Sequence, residues 1–182
     1  MDLETNSYYH IYNRSNNREV IFQNSDNYLY FLRKFRNRFE ELVTVFAYCL
    51  MPTHFHFLIK VETTDADELK KRVGIQLSSY TKAFNNYYNR NGSLFQQQTK
   101  EKLITDKEYL ITLITYIHQN PIRAGLVKDL RDWPYSSYPD LAGYRNGDFV
   151  DKSFIEDDFA SVEDFRLFSN QTIKNINKNY WI

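Results

Sequence analysis

The stretch from Val43 to Glu62 constrains the fold more than any other part of the chain. Val43 to Leu50 is an apolar run rich in β-branched and aromatic residues, the composition of a strand. Met51-Pro52-Thr53 interrupts it, and proline, which has no ladder donor, suits a turn. His54 to Glu62 then resumes the strand pattern, so the whole stretch reads as a β-hairpin.

The flanking sequence supplies the other elements. Ser7 to Asn13 alternates as a strand and runs into the polar loop Asn13-Arg14-Ser15-Asn16-Asn17. Ser25 or Asp26 is expected to cap a helix that buries Tyr28, Phe31, Leu32, Phe35, Phe39 and Leu42 and turns Arg33, Lys34, Arg36 and Arg38 to water. A second helix is expected from about Asp65 to Tyr88 on the stripe Leu69, Val73, Leu77, Tyr80, Phe84 and Tyr87, with Gly92 beyond its end. Phe95 to Ile104 reads as extended. Thr105-Asp106-Lys107-Glu108 has the form of a capping box, and the helix after it, striped by Leu110, Ile114 and Ile117, should stop near Asn120, ahead of Pro121. Gly125 marks a further turn. The order is βαββαβα.

After Tyr138 the chain turns acidic and less periodic, with a helix expected near Val162 to Ser169 and a polar Asn/Lys-rich end. The division is therefore a domain over residues 1–138 and an acidic C-terminal extension over 139–182. The chain's 182 residues are enough for one substantial core. No run of about 18 apolar residues is present to span a bilayer, and Met1-Asp2-Leu3-Glu4-Thr5-Asn6 is acidic where a signal peptide would be basic, so a cytoplasmic protein with no membrane partner is expected. Cys49, the single cysteine, excludes an internal disulfide and reads as a buried, inert thiol.

Net charge is zero, but it is unevenly spread. Residues 1–139 hold 18 Lys+Arg against 15 Asp+Glu, and residues 140–182 hold 5 against 8. Between Lys82 and Lys128 cations outnumber carboxylates 7 to 3, which allows a local basic surface for nucleic acid. The extension, at −3, would compete with DNA for that surface. The 15 Tyr and 14 Phe are mostly core material, with exposed rings available to stack on unpaired bases.

His54-Phe55-His56-Phe57 carries the chemistry. On a strand, side chains alternate, so His54 and His56 leave one face together while Phe55 and Phe57 enter the core. Two fixed imidazoles begin a metal site, although His-x-His alone also fits satisfied or surface histidines. Four residues apart on a helix, Tyr116 and Asn120 face the same way and could supply a nucleophile and a third ligand. A partly solvent-facing rim tyrosine and an ordinary helix cap are the plainer readings of that pair. His118 points elsewhere and reads as structural; His10 faces either the site or the core.

Five segments in this order and spacing resemble the REP-associated tyrosine transposases, relatives of insertion-sequence single-tyrosine transposases within the HUH endonucleases. They are Tyr9-His10-Ile11-Tyr12-Asn13-Arg14, Leu50-Met51-Pro52-Thr53-His54-Phe55-His56, Gly92-Ser93-Leu94-Phe95-Gln96, the run from Tyr116 to Val127, and Asp132-Trp133-Pro134-Tyr135-Ser136-Ser137-Tyr138. The resemblance implies an α+β fold, a ferredoxin-like antiparallel sheet with helices packed on it. It implies His54 and His56 as metal ligands, Tyr116 as nucleophile and Asn120 as a further ligand. One departure is Gln98, where the family commonly has arginine.

The implied activity is metal-dependent nicking and rejoining of single-stranded DNA through a 5′-phosphotyrosine. Hairpin-forming repeats are the implied partner, and the enzyme would be a monomer or homodimer. Arg14, Arg18 and Arg123 are candidates for DNA contact. The resemblance points to Mg²⁺ or Mn²⁺, and Mn²⁺ suits two imidazoles better. Two other readings remain at this level: a non-catalytic DNA-hairpin-binding protein on the same scaffold, and a zinc-dependent phosphodiester hydrolase that uses water and has no need of Tyr116.

Overall fold

The computed structural model describes residues 3–171. Its main elements are β1 (Tyr8–Arg14), α1 (Ser25–Phe39), β2 (Val43–Met51), β3 (His54–Val61), α2 (Ala66–Tyr87), β4 (Lys100–Ile104) and α3 (Lys107–Arg123). The shorter α4 (Tyr138–Leu141), α5 (Ser153–Asp158) and α6 (Val162–Ser169) follow. The strands form one antiparallel sheet in the order β2-β3-β1-β4. With βαββαβ connectivity this is the expected ferredoxin-like arrangement, extended by α3. The Asn/Lys-rich end lies outside the described residues. Among the described residues no helix is long and apolar enough to cross a membrane.

The hairpin forms where the sequence places it. Met51 pairs with His54 across Pro52-Thr53. The turn carbonyls are not left empty: Pro52 O accepts from Ile21 N at 2.8 Å and Thr53 O from Ser15 N at 2.8 Å. The turn is thereby tied to the connection between β1 and α1.

Helix ends depart from expectation in three places, each for a local reason. α1 is capped by Asn24, whose side chain accepts from Asn27 N, while Ser25 is instead bonded to the Tyr135 hydroxyl at 2.7 Å. α3 is capped by the Asp106 carboxylate, which accepts from Glu108 N and Tyr109 N, so the Thr105 capping box does not form. A carboxylate is the stronger acceptor at the positive end of a helix. The same helix continues through Pro121 to Arg123 rather than stopping at Asn120. Pro121 removes the donor that Ile117 O would have used, and Asn120 Nδ2 replaces it, donating to Ile117 O at 3.3 Å and to Tyr116 O at 2.9 Å. Gly125, at φ 70°, then turns the chain so that Leu126 N bonds Pro121 O.

The sheet has two unlike faces. Phe55 and Phe57 meet α1, with Phe57 stacked on Phe35 at 4.0 Å between centroids and Phe55 5.3 Å from Phe31. Gln76 of α2 donates to Phe31 O, locking α2 to α1. α3 lies on the opposite face, with the Tyr116 ring against His56. The outer edge of β2 is closed by residues 133–137: Leu50 N bonds Tyr135 O, Ser137 N bonds Tyr48 O, and the Trp133 indole donates to Leu50 O. Covering that edge removes a template for aggregation.

Residues 139–171 add Leu141, Val150, Phe154, Ile155 and Phe165 to the same apolar core. Arg36 grips Asp148 with two bonds of 2.6 and 2.8 Å, and Gln119 Nε2 donates to Ser169 O. Phe165, 1% exposed, touches His118, Tyr138, Phe154 and Phe159. Phe165→Ala should therefore cost about 3 kcal/mol or more, read as a lower urea midpoint at unchanged slope.

Candidate active site

β3 sends Phe55 and Phe57 to the α1 side and His54 and His56 to the other, as the alternation requires. The register fills in the neighbours. Arg14 lies opposite His54, Tyr12 opposite His56, and His10 opposite Leu58. Across β1, Lys100 pairs with Tyr12 and Lys102 with His10. One sheet face thus collects three imidazoles, a phenol and three cations.

α3 completes the cluster. The His54 and His56 rings stand perpendicular at 5.1 Å, and Tyr116 approaches His56 edge-on at 6.0 Å. The Arg123 guanidinium sits 5.5 Å from the Tyr116 ring centroid, within cation–π range. Two of the DNA-contact candidates, Arg14 and Arg123, therefore flank the cluster. Arg18 does not join it in any described contact; it is exposed in a turn where Asn17 and Arg18 both take positive φ, 53° and 57°. Gln98 is exposed near the start of β4.

Tyr116 is not the rim residue expected. Only 4% of it is exposed, because α3 is covered on more than one side. His118, two residues on, faces the other way and bonds Ser137 Oγ at 2.8 Å, as a structural role requires. Asn120 spends both amide protons on its own helix, so the side chain's remaining donor atom for a ligand is Oδ1.

His10 faces the cluster, the alternative that its strand position left open. Its Nε2 lies 2.9 Å from His56 Nδ1, both rings are fully buried, and they stack at 5.1 Å. One proton serves that bond. With the proton on His56 Nδ1, His56 Nε2 carries a free lone pair; with it on His10, His56 Nε2 must bear a proton instead. His56 Nε2 is buried and has no hydrogen-bond partner among the described residues. His54 Nδ1 lies 3.1 Å from Thr53 Oγ1, which leaves Nε2 as its outward nitrogen too. No set of three or more His, Cys, Asp or Glu side chains suited to a metal occurs among the described residues. A cation here would need the two histidines and an oxygen donor such as Asn120 Oδ1, a neutral set that leaves its charge intact and positions open.

Comparison with known proteins agrees with this architecture. The model of the IS200-like transposases matches residues 4–120, and the chain belongs to that family. A Haemophilus influenzae protein provisionally named a REP-associated tyrosine transposase is 32% identical over 100 residues, 50% of this chain and 57% of that relative. The chain thus matches somewhat over half the relative's length. A solved REP-associated tyrosine transposase bound to a REP hairpin superposes with a TM-score of 0.59 at 18% identity, over 83% of this chain and 91% of that one, and has the same fold.

Burial sets the protonation of the cluster. It lowers His10 to about 3, helped by Lys102, and His54 to about 4, helped by Arg14. His56 is held well below the ordinary histidine range by burial and its two histidine neighbours, and His118 is lowered to about 3 by burial. The Cys49 thiol is pushed up by burial, in keeping with an inert core residue. Burial raises the Tyr116 phenol, against the opposing pull of Arg123.

Each depressed histidine stays neutral in the fold, while the unfolded chain takes up a proton below about 6.5. Stability is then complete above pH 6.5 and is lost as pH falls toward 3 to 4. The metal-free protein should lose about 1.4 kcal/mol per pH unit for each such histidine in that window. Urea unfolding at pH 7.5 and 5.5 measures this, and replacing buried His118 by Asn should flatten the slope.

Proposed function

We propose that this protein nicks and rejoins single-stranded DNA through a covalent bond to Tyr116, with hairpin-forming DNA as its partner. The packing of the Tyr116 ring against His56, itself beside His54, carries the reading: one helix holds a tyrosine next to a pair of neutral imidazoles on a basic sheet face. Family membership and the hairpin bound by the structural relative support it.

His54, His56 and Asn120 would hold a divalent cation, Mg²⁺ or Mn²⁺. Bound there, such a cation supplies charge withdrawal from a phosphate. Tyr116 Oη attacks phosphorus, the Oη–P bond forms, and the bond to the 3′ oxygen breaks. The departing oxygen gains a proton and becomes a 3′-hydroxyl, leaving a 5′-phosphotyrosine. One phosphodiester replaces another, so attack by a 3′-hydroxyl on the phosphotyrosine reverses the step without ATP. Because burial raises the phenol's pKa, its proton leaves during attack rather than beforehand. Arg123, over the ring, and Arg14, opposite His54, would counter phosphate charge.

His10 acts through His56. In the tautomer with the shared proton on His56 Nδ1, His10 Nε2 accepts and the His56 Nε2 lone pair stays available, as outer hydrogen bonds arrange for metal-bound histidines.

Tyr116→Phe should retain DNA and Mn²⁺ binding yet lower cleavage by at least about 10³-fold. A water-using hydrolase would keep cutting, and a pure binding protein would not cut in either form. His56→Ala should abolish both cleavage and Mn²⁺ binding in a folded protein, measured by calorimetry and circular dichroism; unchanged Mn²⁺ affinity would remove the metal site. His10→Ala should weaken Mn²⁺ binding by about 10- to 100-fold, and His10→Gln, which keeps an acceptor, should recover part of the loss.

A further inference from the structure

A polar trough runs along the outer face of α2, on the far side of the sheet from the histidines. Its larger part, about 640 Å³, lies between Thr81, Lys82 and Asn85 of α2 and the segment Gly92 to Thr99. A second part, about 570 Å³, continues it past Lys70 to Lys100 and Glu101. Gly74, Gln97 and Thr99 line both, so the two form one channel. Lys70, Lys82, Arg90 and Lys100 line it against the single carboxylate of Glu101, although Arg90 is itself held by Glu19. The channel reaches the reactive face at Lys100, the register partner of Tyr12, which in turn lies opposite His56.

The walls are fixed. Asn13 Nδ2 donates to Gln96 O and to Thr99 Oγ1, and Arg90 holds Asn85 Oδ1 and Gly92 O. The floor contains an anomaly. Gly74 lies inside α2 with ordinary helical φ, and a Cβ added there would meet nothing within 4 Å. Neither backbone conformation nor packing among the described residues calls for glycine, which weakens a helix interior relative to alanine. A side chain at this position would project only into the trough.

We infer that the trough seats the backbone of the DNA strand that leaves the reactive face around the β4 edge, with Gly74 kept bare for its close approach. This rests on the DNA-strand reading of the histidine–tyrosine face. The excess of cations matches a phosphodiester chain, and the exposed amides of Asn86 and Gln97 suit base edges or sugar oxygens.

The test uses the full chain, a DNA hairpin with single-stranded extensions, and the same hairpin trimmed to a few unpaired nucleotides. Gly74→Ala should raise the melting temperature by about 2 °C while weakening binding of the extended DNA by about tenfold and leaving the trimmed DNA unaffected. Lys82→Gln should weaken the extended DNA only and reduce its salt slope by about 1. Wild-type cleavage with unchanged affinities in both variants overturns the trough and leaves the function standing. Equal weakening of both DNAs also overturns it. Wild type that binds neither DNA overturns both readings.

Discussion

The hydrogen bond between His10 Nε2 and His56 Nδ1 is the contact around which the space between sheet and α3 is organised. Buried polar groups left without partners are costly, and this face of the sheet carries several. Joining two of them relieves part of that cost and orients His56 toward α3. Aromatic neighbours then fill the remaining room, with Tyr12 beside His10 and Tyr116 beside His56. The result is a buried, hydrogen-bonded polar layer beside the apolar core, the kind of support that fixes side-chain geometry.

The two faces of the sheet divide the work. Phe31, Phe35, Phe55 and Phe57 make the dry side, where one stacked and one tilted ring pair bind α1 to the hairpin. That side holds β3 in a single register, and because strand period is two, a one-residue slip would turn both histidines into the apolar layer. The histidine-bearing face therefore depends on the packing of the opposite, apolar face. Closure of the β2 edge by Trp133 to Ser137 and the seating of Phe165 beneath α3 extend the same support to the helix bearing Tyr116.

Much of this was legible in local pattern. Alternation in the hairpin separates His54 and His56 from Phe55 and Phe57, and three-to-four spacing locates α1, α2 and α3 within a few residues. The depth of Tyr116 was not legible, because a single apolar stripe implies one buried side. α3 is instead enclosed from two directions, with Tyr116 toward His56 and His118 toward Ser137 and Phe165. Its passage through Pro121 was hidden for a similar reason: the repair comes from a side chain, Asn120, whose sequence position suggests a cap. Lys100 and Lys102 were missed because a five-residue edge strand has too little pattern, and only its pairing with β1 reveals the face it serves. His10 was ambiguous until its partner, 46 residues away, was known.

The most direct measurement is to incubate the protein with a DNA hairpin carrying single-stranded extensions and Mn²⁺, trap any covalent product, digest it, and locate an attached nucleotide by peptide mass spectrometry. The nucleotide should be found on the peptide containing Tyr116, joined through a 5′-phosphate, with a free 3′-hydroxyl on the released strand. Attachment to Tyr12, Tyr109 or any other residue, or efficient cleavage with no protein-bound nucleotide, would contradict a Tyr116 nucleophile.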